Sequence, residues 1–498
     1  MIRRPVDLYT AQQVRELDRR AIEDRGIDGY ALMERAGRAA FRLLRLRWPC
    51  ARRLAVFCGG GNNGGDGLVV ARLALEAGMD VRVGLDKAPA DLGGAAALAW
   101  RDLAAIGGSA SPSAQIDPAA VDVVVDALLG TGLDRPVTGE AAEVIERINT
   151  AAVPVLALDI PSGLAADTGA ALGTAVHAAA TITFIGAKRG LYTGAAADHT
   201  GPIFLDDLDV PGNLADGIGE HVDLVRADDA HRLLPRRRSA AHKGDAGHVL
   251  VIGGDFGFAG AVRMAGEAAL RVGAGLVTVA TRPEHAVVAV ARPELMVHGL
   301  REPARDLEGL LERADVVALG PGLGTGPWGR AALAAVLERR DRPRILDADA
   351  LNLLATAAED VGPESVITPH PGEAGRLLGV STADVQADRF AAAAALRRRY
   401  GGTVLLKGAG TLVAAAGGRM ALVPGAEPAL ASGGMGDVLT GAIAGLAAQG
   451  MMPRDAAVAA AWLHLEAAAW AAREVASAGL LATDLLPCLA RLRDRSTA

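Results

Sequence analysis

The spacing of apolar positions along the chain changes repeatedly, and the changes mark out its elements. In "TAQQVRELDRRAIEDRG" (10–26) they recur at helical spacing, which predicts a helix. "LAVFC" (54–58) is a short unbroken apolar run, followed by a Gly-rich loop, the helix "LVVARLALEAG" (68–78) and the strand "DVRVGLD" (80–86). Together these form a βαβ unit, with the loop at the carboxyl end of the first strand. The alternation continues through "VDVVVDALLG" (121–130), the helix "EAAEVIERINT" (140–150), "VPVLALDIPSG" (153–163) and "ATITFIG" (180–186). Such strands between helices predict a parallel sheet covered on both faces.

The pattern breaks at 209–246, where Pro, Gly and charged residues dominate, and the break predicts a linker. A second α/β run follows. "GHVLVIGGD" (247–255) is a strand and "GAVRMAGEAALRVGAG" (260–275) a helix. "LVTVATRP", "ADVVALGPGLG", "RILDADALNLLA", "SVITPHPGEAG" and "TVLLKGAGTLVAAAGG" supply further strands, with helices such as "RAALAAVLERR" between them. "ASGGMGDVLTGAIAGLAAQG" (431–450) opens a glycine-rich helix. The expectation is two different α/β domains in one chain, 1–215 and 225–498.

Composition narrows the function. Hydrophobic residues make up 51% of the 498 residues but aromatics only 3%, so Ala and Gly supply much of the apolar count, as tightly packed α/β layers require. The net charge of −7 gives no polyanion-binding surface, and nucleic acid is not expected as a partner. "MIRRPVDLYT" has no apolar core behind its basic residues, and no long uncharged apolar run follows. Neither a secretory signal nor a membrane span is expected. Three scattered cysteines suit a reducing cytoplasm. A homo-oligomer is expected.

Lysine is the informative residue. Among 51 basic side chains the only lysines are Lys87, Lys188, Lys243 and Lys407. Each marks a position where a planar guanidinium does not serve for a compact ammonium.

In "SGGMGDVLTG" (432–441), Gly433, Gly434 and Gly436 permit a tight turn into a helix whose free N–H groups attract an anion. Asp437 cannot bind that anion. It is placed to take a proton from a hydroxyl beside a phosphate, as phosphoryl transfer to an alcohol requires. Alone, the stretch also reads as a turn with an N-capping Asp. "LLKGAGT" (405–411) places Lys407 and loop N–H groups to meet a nucleotide, or forms a hairpin turn. "GPGLG" (320–324) is a close-approach loop. "TPHPGE" (368–373) fixes His370 between two prolines. Asp347, Asp349 and Asn352 in "LDADALN" either bind a hydrated Mg²⁺ or cap the next helix.

In this order, "HKGDAGHVLVIGG", "GPGLG", "LDADALNLLA", "TPHPGE", "KGAGT" and "SGGMGDVLTG" resemble the ADP-dependent NAD(P)H-hydrate dehydratases, over about residues 225–498. The resemblance implies a ribokinase-like α/β fold. It implies that Lys407, Gly408, Ala409, Gly410, Thr411 and Gly436 bind ADP, with Mg²⁺ as cofactor. It also implies that Ala261, Gly322 or Gly324, His370 and Asp437 face the hydrated nicotinamide nucleotide. The chemistry agrees with the residues. Hydroxide is a poor leaving group, and phosphorylating the C6 hydroxyl makes it a good one. Asp437 is the expected base.

In the first half, "CGGGNNGGDG" (58–67), "VVVDALLGTGLDRPVTGE" (123–140) and "LALDIPSGLAADTG" (156–169) end at one edge of a parallel sheet. Asn63, Asp126 and Ser162 are therefore placed to converge, and oxygen-only ligands suit a hard cation. Asp66 and Asp159 remain for hydrogen bonding or proton transfer. Taken singly, each also reads as a turn or cap residue. With "GYALMERAG" (29–37) and "GAKRGL" (186–191), these segments resemble the NAD(P)H-hydrate epimerases over about residues 8–210, in a Rossmann-like three-layer αβα fold. The resemblance implies a K⁺ site at Asn63, Asp126 and Ser162. It implies substrate contacts at Asn62, Asn63, Gly64, Gly65 and Asp66, at Gly130, Thr131, Gly132, Leu133, Asp134, Arg135 and Pro136, and at Asp159. The glycines of the opening loop are expected to make room for the dinucleotide's backbone. Asp159 is the candidate acid–base group, and Lys188 is a further candidate for reaching the site. Gly60 departs from the family, which often has Pro there.

The implied activity is repair of hydrated NADH and NADPH: epimerisation at C6, then ADP-dependent dehydration of the S form. The substrates are NADHX, NADPHX and ADP. One alternative is a hydroxymethylpyrimidine- or thiazole-type small-molecule kinase, which would not explain "TPHPGE" or the first domain. Another is a nucleotide-sensing scaffold, which would not explain Asp437.

Overall fold

The computed structural model describes residues 6–289, 292–357 and 359–495. The chain forms two compact units, one of Val6–Val222 and one built on Asp223–Ala498.

The strands of the first unit are β1 (Val6–Tyr9), β2 (Arg53–Cys58), β3 (Asp80–Leu85), β4 (Ala110–Pro112), β5 (Val123–Ala127), β6 (Val155–Leu158), β7 (Ala180–Phe184), β8 (Ala187–Lys188) and β9 (Ile203–Asp206). Seven form a sheet in the order β4-β3-β2-β5-β6-β7-β9, parallel throughout. Leu54, Val56 and Cys58 pack into one apolar cluster, while Ala55 and Phe57 pack into another. Alternate residues point to opposite faces, so the sheet is buried on both sides. Fully burying a Val or Leu contributes roughly 1.5–3 kcal/mol.

The helix after β2 begins earlier than its apolar period indicates. It spans Asn62–Glu76 and takes in the glycines. A Cβ at Gly64 would lie 1.8 Å from the Gly59 carbonyl oxygen, and one at Gly67 would lie 2.7 Å from Ala127 Cβ. These two glycines let the helix pack closely on the strands. Gly64 and Gly67 thus serve close packing, while Gly60, Gly61 and Gly64 also line a cavity described below.

In the second unit the strands are β10 (Val222–Leu224), β11 (His248–Ile252), β12 (Leu276–Thr281), β13 (Met296–Gly299), β14 (Val316–Leu319), β15 (Arg344–Leu346), β16 (Ser365–Ile367), β17 (Thr403–Leu406), β18 (Thr411–Ala414) and β19 (Ala421–Val423). They run in the order β13-β12-β11-β14-β15-β16-β17-β18-β19-β10. The order is parallel from β13 to β17 and antiparallel at β17-β18-β19. Residues 407–410 are thus a hairpin connection and also a loop at the strand ends. Part of the expected linker is ordered: Asp223 and Leu224 pair with Ala421 and Leu422, and Asp223 meets Arg419 and Arg454.

Helices Ala259–Arg271 and Met435–Ala447 pack against each other through small residues. A Cβ at Gly441 would lie 1.9 Å from Ala265 O, and one at Gly445 would lie 2.5 Å from Ala269 O. This register runs parallel, and one turn earlier it sets Asp437 level with Ala261.

Candidate active sites

In the first unit the chain leaves β2 toward β3 on one side and reaches β5 on the other. The crevice beyond their carboxyl ends is a topological switch point. There lies a cavity of about 950 Å³, lined by Asn62, Asn63, Gly64, Asp66, the run Gly130–Pro136 and Asp159. Gly65 is not on that wall. It is buried, and a Cβ there would lie 2.5 Å from Met33 Cε.

Asp126 and Ser162 are fully buried and meet Asn63 through Leu129. The Leu129 carbonyl accepts from Asn63 Nδ2 at 3.0 Å, and its N–H donates to Ser162 Oγ at 2.8 Å. Ser162 donates to Asp126 through Oγ at 2.6 Å and through N–H at 2.8 Å. Asn63 Oδ1 is buried with no hydrogen-bond partner among the described residues, a state that ordinarily costs about 1–3 kcal/mol. Burial pushes the Asp126 carboxyl up to about 6, against the pull of its Ser162 and Leu128 bonds. An orphaned amide oxygen beside a buried carboxylate and a hydroxyl is the donor set of a hard cation.

A Cβ at Gly130 would lie 3.2 Å from Asn63 Cβ and 3.6 Å from Asp159 Oδ2, so this glycine lets the two loops meet. Asp159 has φ 66°, a left-handed conformation that a non-glycine residue holds only when its surroundings impose it. The Lys188 ammonium bonds to the Asp159 carboxylate and to Thr183 Oγ1 at 2.8 Å. Lys188 is 1% exposed. It is delivered by β8, which pairs Lys188 with Tyr9 of β1. Thr10 then caps the helix Ala11–Arg19, and that helix carries Asp18 to the same cavity.

Asp18 is the residue that sequence reasoning missed. Its signal is faint: Val14, Asp18 and Ile22 stand one turn apart, and all three line the cavity. Burial pushes Asp18 up to about 6, with Lys188 pulling down and Asp159 pushing up. Asp66 is pushed well above its usual range by burial, then by the negative charges of Asp159 and Asp18.

In the second unit the switch point lies between β11 and β14. Gly322 packs beside Ala261, with 3.3 Å between a built Cβ and the Ala261 Cβ. The Gly324 N–H donates to Asp349 Oδ2 at 2.9 Å, and Asn352 Nδ2 donates to Asp349 Oδ1 at 3.1 Å. Asp347 is 1% exposed and fully engaged. Its Oδ1 accepts from Lys407 Nζ and Thr368 Oγ1, both at 2.8 Å, and its Oδ2 from Thr440 Oγ1 at 2.8 Å. Burial pushes Asp347 up, but Lys407 and the hydroxyls outweigh it and hold the carboxyl below its usual range.

Lys407 Nζ also stands 3.7 Å from Glu373 Oε2. His370 caps the helix Pro371–Leu378 through Nδ1, and Glu373 returns a bond to the His370 N–H at 2.8 Å. This capping box makes Glu373 a site residue that the motif contained and the sequence reading passed over. His370 is half exposed and is held below its usual range by burial and Lys407. The 407–410 loop is braced from beneath by the buried Arg389, whose guanidinium donates to the carbonyls of Leu406, Lys407 and Gly410.

Asp437 stands in the first turn of the helix Met435–Ala447, after Gly434 at φ 88°. A Cβ at Gly436 would lie 3.5 Å from both Lys407 Nζ and Asp347 Oδ2. The Asp437 carboxyl is pushed up to about 7 by burial, then by the charges of Asp347 and Asp349, with Lys407 pulling down. Asp437, Lys407, His370, Ala261, Gly322, Gly324 and Gly436 therefore surround one region at the strand ends. A carboxylate near neutrality beside an ammonium and a helix N-terminus is suited to base-assisted attack on a phosphoryl group.

Comparison with known proteins agrees with this division. Residues 249–491 match the family described as NAD(P)H-hydrate dehydratase, and residues 29–190 match the YjeF-related protein N-terminus. The bifunctional NAD(P)H-hydrate repair enzyme of Coxiella burnetii is 49% identical over 483 residues, covering 97% of this chain and 98% of the relative. That of Escherichia coli K12 is 46% identical, covering 98% and 94%. The ADP/ATP-dependent NAD(P)H-hydrate dehydratase of Bacillus subtilis, co-crystallized with ATP and Mg²⁺, superposes with a TM-score of 0.50 at 32% identity, covering 55% of this chain and 99% of that one. Among the described residues no helix is long and apolar enough to cross a membrane.

Proposed function

We infer the following division of labour for this chain, which belongs to the bifunctional NAD(P)H-hydrate repair enzymes. Residues 1–215 epimerise the R and S forms of NADHX and NADPHX. Residues 225–498 dehydrate the S form to NADH or NADPH at the expense of ADP, giving AMP and phosphate. The single observation that carries the dehydratase reading is the Asp437 carboxyl, near 7 and beside the Lys407–Asp347 pair.

In the second unit Asp437 takes the proton of the C6 hydroxyl. The freed oxygen attacks the terminal phosphorus of ADP, and AMP leaves. The N–H groups at 433–436 and the Lys407 ammonium stabilise charge on the transferring group; phosphate then leaves C6 with the C–O electron pair, C5 gives up a proton to the departing phosphate, and the C–H electrons form the C5=C6 bond. Lys407, Gly408, Ala409, Gly410, Thr411 and Gly436 hold the nucleotide. Ala261, Gly322, Gly324 and His370 face the hydrate. Mg²⁺ would enter with the nucleotide's phosphates and screen their charge, while Asp347 stays bonded to Lys407, Thr368 and Thr440. A metal that keeps most of its waters needs no protein cage.

In the first unit K⁺ is held by Asn63, Asp126 and Ser162. The orphaned Asn63 Oδ1 supports this fit. A cation held there would offset the buried charge of Asp126, and Asn63, Asp126 and Ser162 would tie the loop after β5 to it. The run Gly130–Pro136 and Asn62, Asn63, Gly64 and Asp66 embrace the dinucleotide. Asp159 takes the hydroxyl proton and Lys188 orients it. We place the enzyme in the cytoplasm as a homo-oligomer.

The experiment is to add K⁺ and ADP to mixed R- and S-NADHX and follow NADH absorbance. Complete conversion is expected. No NADH with either ADP or ATP sinks the repair reading, and conversion of S alone sinks the epimerase half. K⁺ should also raise the melting temperature of the first unit. At a hundredfold excess over Kd the gain is about 2.7 kcal/mol, and Asp126→Asn should remove it.

A further inference from the structure

The cavity of the first unit holds more acid than the proposed reaction has yet used. Asp18 and Asp66 both face it. Neither carboxyl makes a hydrogen bond or ion pair with another described residue, whereas Asp159 is paired with Lys188. Asp159 is paired with the Lys188 ammonium, whereas burial first and the neighbouring carboxylates second favour a proton on Asp18 and Asp66. Because they act on each other, the proton belongs to the pair.

We propose that Asp18 and Asp66 share one proton and together form the general acid that protonates the ring nitrogen during epimerisation. The inference rests on the epimerase reading above. The balance is simple. C6 of the hydrate bears both the hydroxyl and ring nitrogen N1. Asp159 accepts the hydroxyl proton, the O–H electrons become the second bond of C6=O, and the C6–N1 bond breaks. Its electron pair stays on N1, which takes the proton from the Asp18–Asp66 pair. The open aldehyde turns about its single bond, N1 adds to the other face of C6, and both protons return. Nothing is oxidised or reduced. One cavity thus supplies both the base and the acid, as a reaction that moves a proton from O6 to N1 demands.

The geometry that supports this is non-local. The helix Ala11–Arg19 brings Asp18, the helix after β2 brings Asp66, the turn after β6 brings Asp159, and β8 brings Lys188. The other charged groups on the cavity wall are Arg15, Lys87, Asp134 and Arg135.

The test uses the full chain with K⁺ and without ADP, resolving R- and S-NADHX by chromatography. In Asp18→Asn and Asp66→Asn, kcat for epimerisation at pH 8 is expected to fall about 100-fold, with KM changed less than about threefold. An acid must be protonated to act, so the wild-type rate falls as pH rises through the pair's titration. Asp18→Asn removes a like charge beside Asp66 and moves that alkaline limb to lower pH. Asp18→Glu restores it, and this conservative variant keeps the test valid should the Asn protein fold poorly. Dehydration of the S form, run by the second unit, stays at the wild-type rate and reports integrity. A wild-type rate and limb in Asp18→Asn overturns the inference, as does an effect confined to KM. Asp159→Asn separates the two levels: if it too is fully active, the epimerase reading of this cavity fails; if it alone is inactive, only the shared proton fails.

Discussion

Both units pair a lysine with an aspartate and leave at least one further carboxyl at the site that makes no hydrogen bond or ion pair with another described residue. In the first the pair is Lys188–Asp159 and the additional groups are Asp18 and Asp66; in the second it is Lys407–Asp347 and Asp437. A chain with only four lysines among 51 basic residues places two of them here, where a compact ammonium fits and a guanidinium fork would not. The difference lies in what surrounds the unpartnered carboxyl. Asp437 stands in the first turn of a helix, where burial and the charges of Asp347 and Asp349 push its carboxyl up to about 7 while Lys407 pulls it down. Asp18 and Asp66 line one cavity with Asp159, where burial first and the neighbouring negative charges second favour a proton. On the roles proposed above, the carboxyl beside the ion pair accepts a proton in the second unit and donates one in the first.

The largest expected effect tests the second half of that comparison. Asp437→Asn should lower the dehydration rate about 10²–10⁴-fold while epimerisation and nucleotide binding persist. Retained turnover would remove Asp437 as the base. The wild-type dehydration rate should rise with pH through about 7, because the base acts when unprotonated. Stability moves oppositely. The carboxyl is raised from 3.8 to about 7 on folding, so its favourable contribution is present at low pH and lost as pH climbs through that window. Asp437→Asn should therefore stabilise the second unit at pH 8, by up to a few kcal/mol, and have little effect at pH 4.

A smaller effect separates the two ion pairs. Lys188→Met strands Asp159 inside the protein and should destabilise the first unit by about 3–5 kcal/mol. Lys407→Met strands Asp347, whose side chain is 2% exposed against 16% for Asp159, and should cost the second unit at least as much. Calorimetry of the two transitions checks the order, and a smaller loss for Lys407→Met would mean that burial of the stranded carboxylate does not set the cost.

The smallest effects concern the two glycine-rich turns. A Cβ at Gly64 meets the Gly59 carbonyl oxygen at 1.8 Å, whereas one at Gly433 meets nothing within 4 Å. Gly64→Ala should therefore destabilise the first unit by about 1–3 kcal/mol. Gly433→Ala should stay within about 0.5 kcal/mol of wild type. If both are neutral in a denaturant titration, the glycines of 58–67 are not there for packing.

Much of the architecture was legible because it is periodic and local. Alternating strands and helices indicated parallel sheets, and glycine runs at strand ends indicated where the crevices open. The antiparallel hairpin at 407–410 and the ordered strand at Val222–Leu224 were not, since both depend on pairing with distant segments. Among the site residues, those in dense motifs, such as Asp437, Lys407 and Asn63, stood out. Asp18 lay in an ordinary amphipathic helix and did not. Glu373 was in plain view and was passed over, because its meaning comes from the His370 cap and the Lys407 ammonium it faces.

The sequence by itself determined the family, the order of the motifs and the few positions where the chain uses lysine rather than arginine. Only the tertiary structure decided which carboxyls keep a proton. A side chain's charge depends on burial and on neighbours a few ångströms away. For Asp18, Asp66, Asp159 and Lys188 those neighbours come from four separate segments, so no local stretch contains the answer.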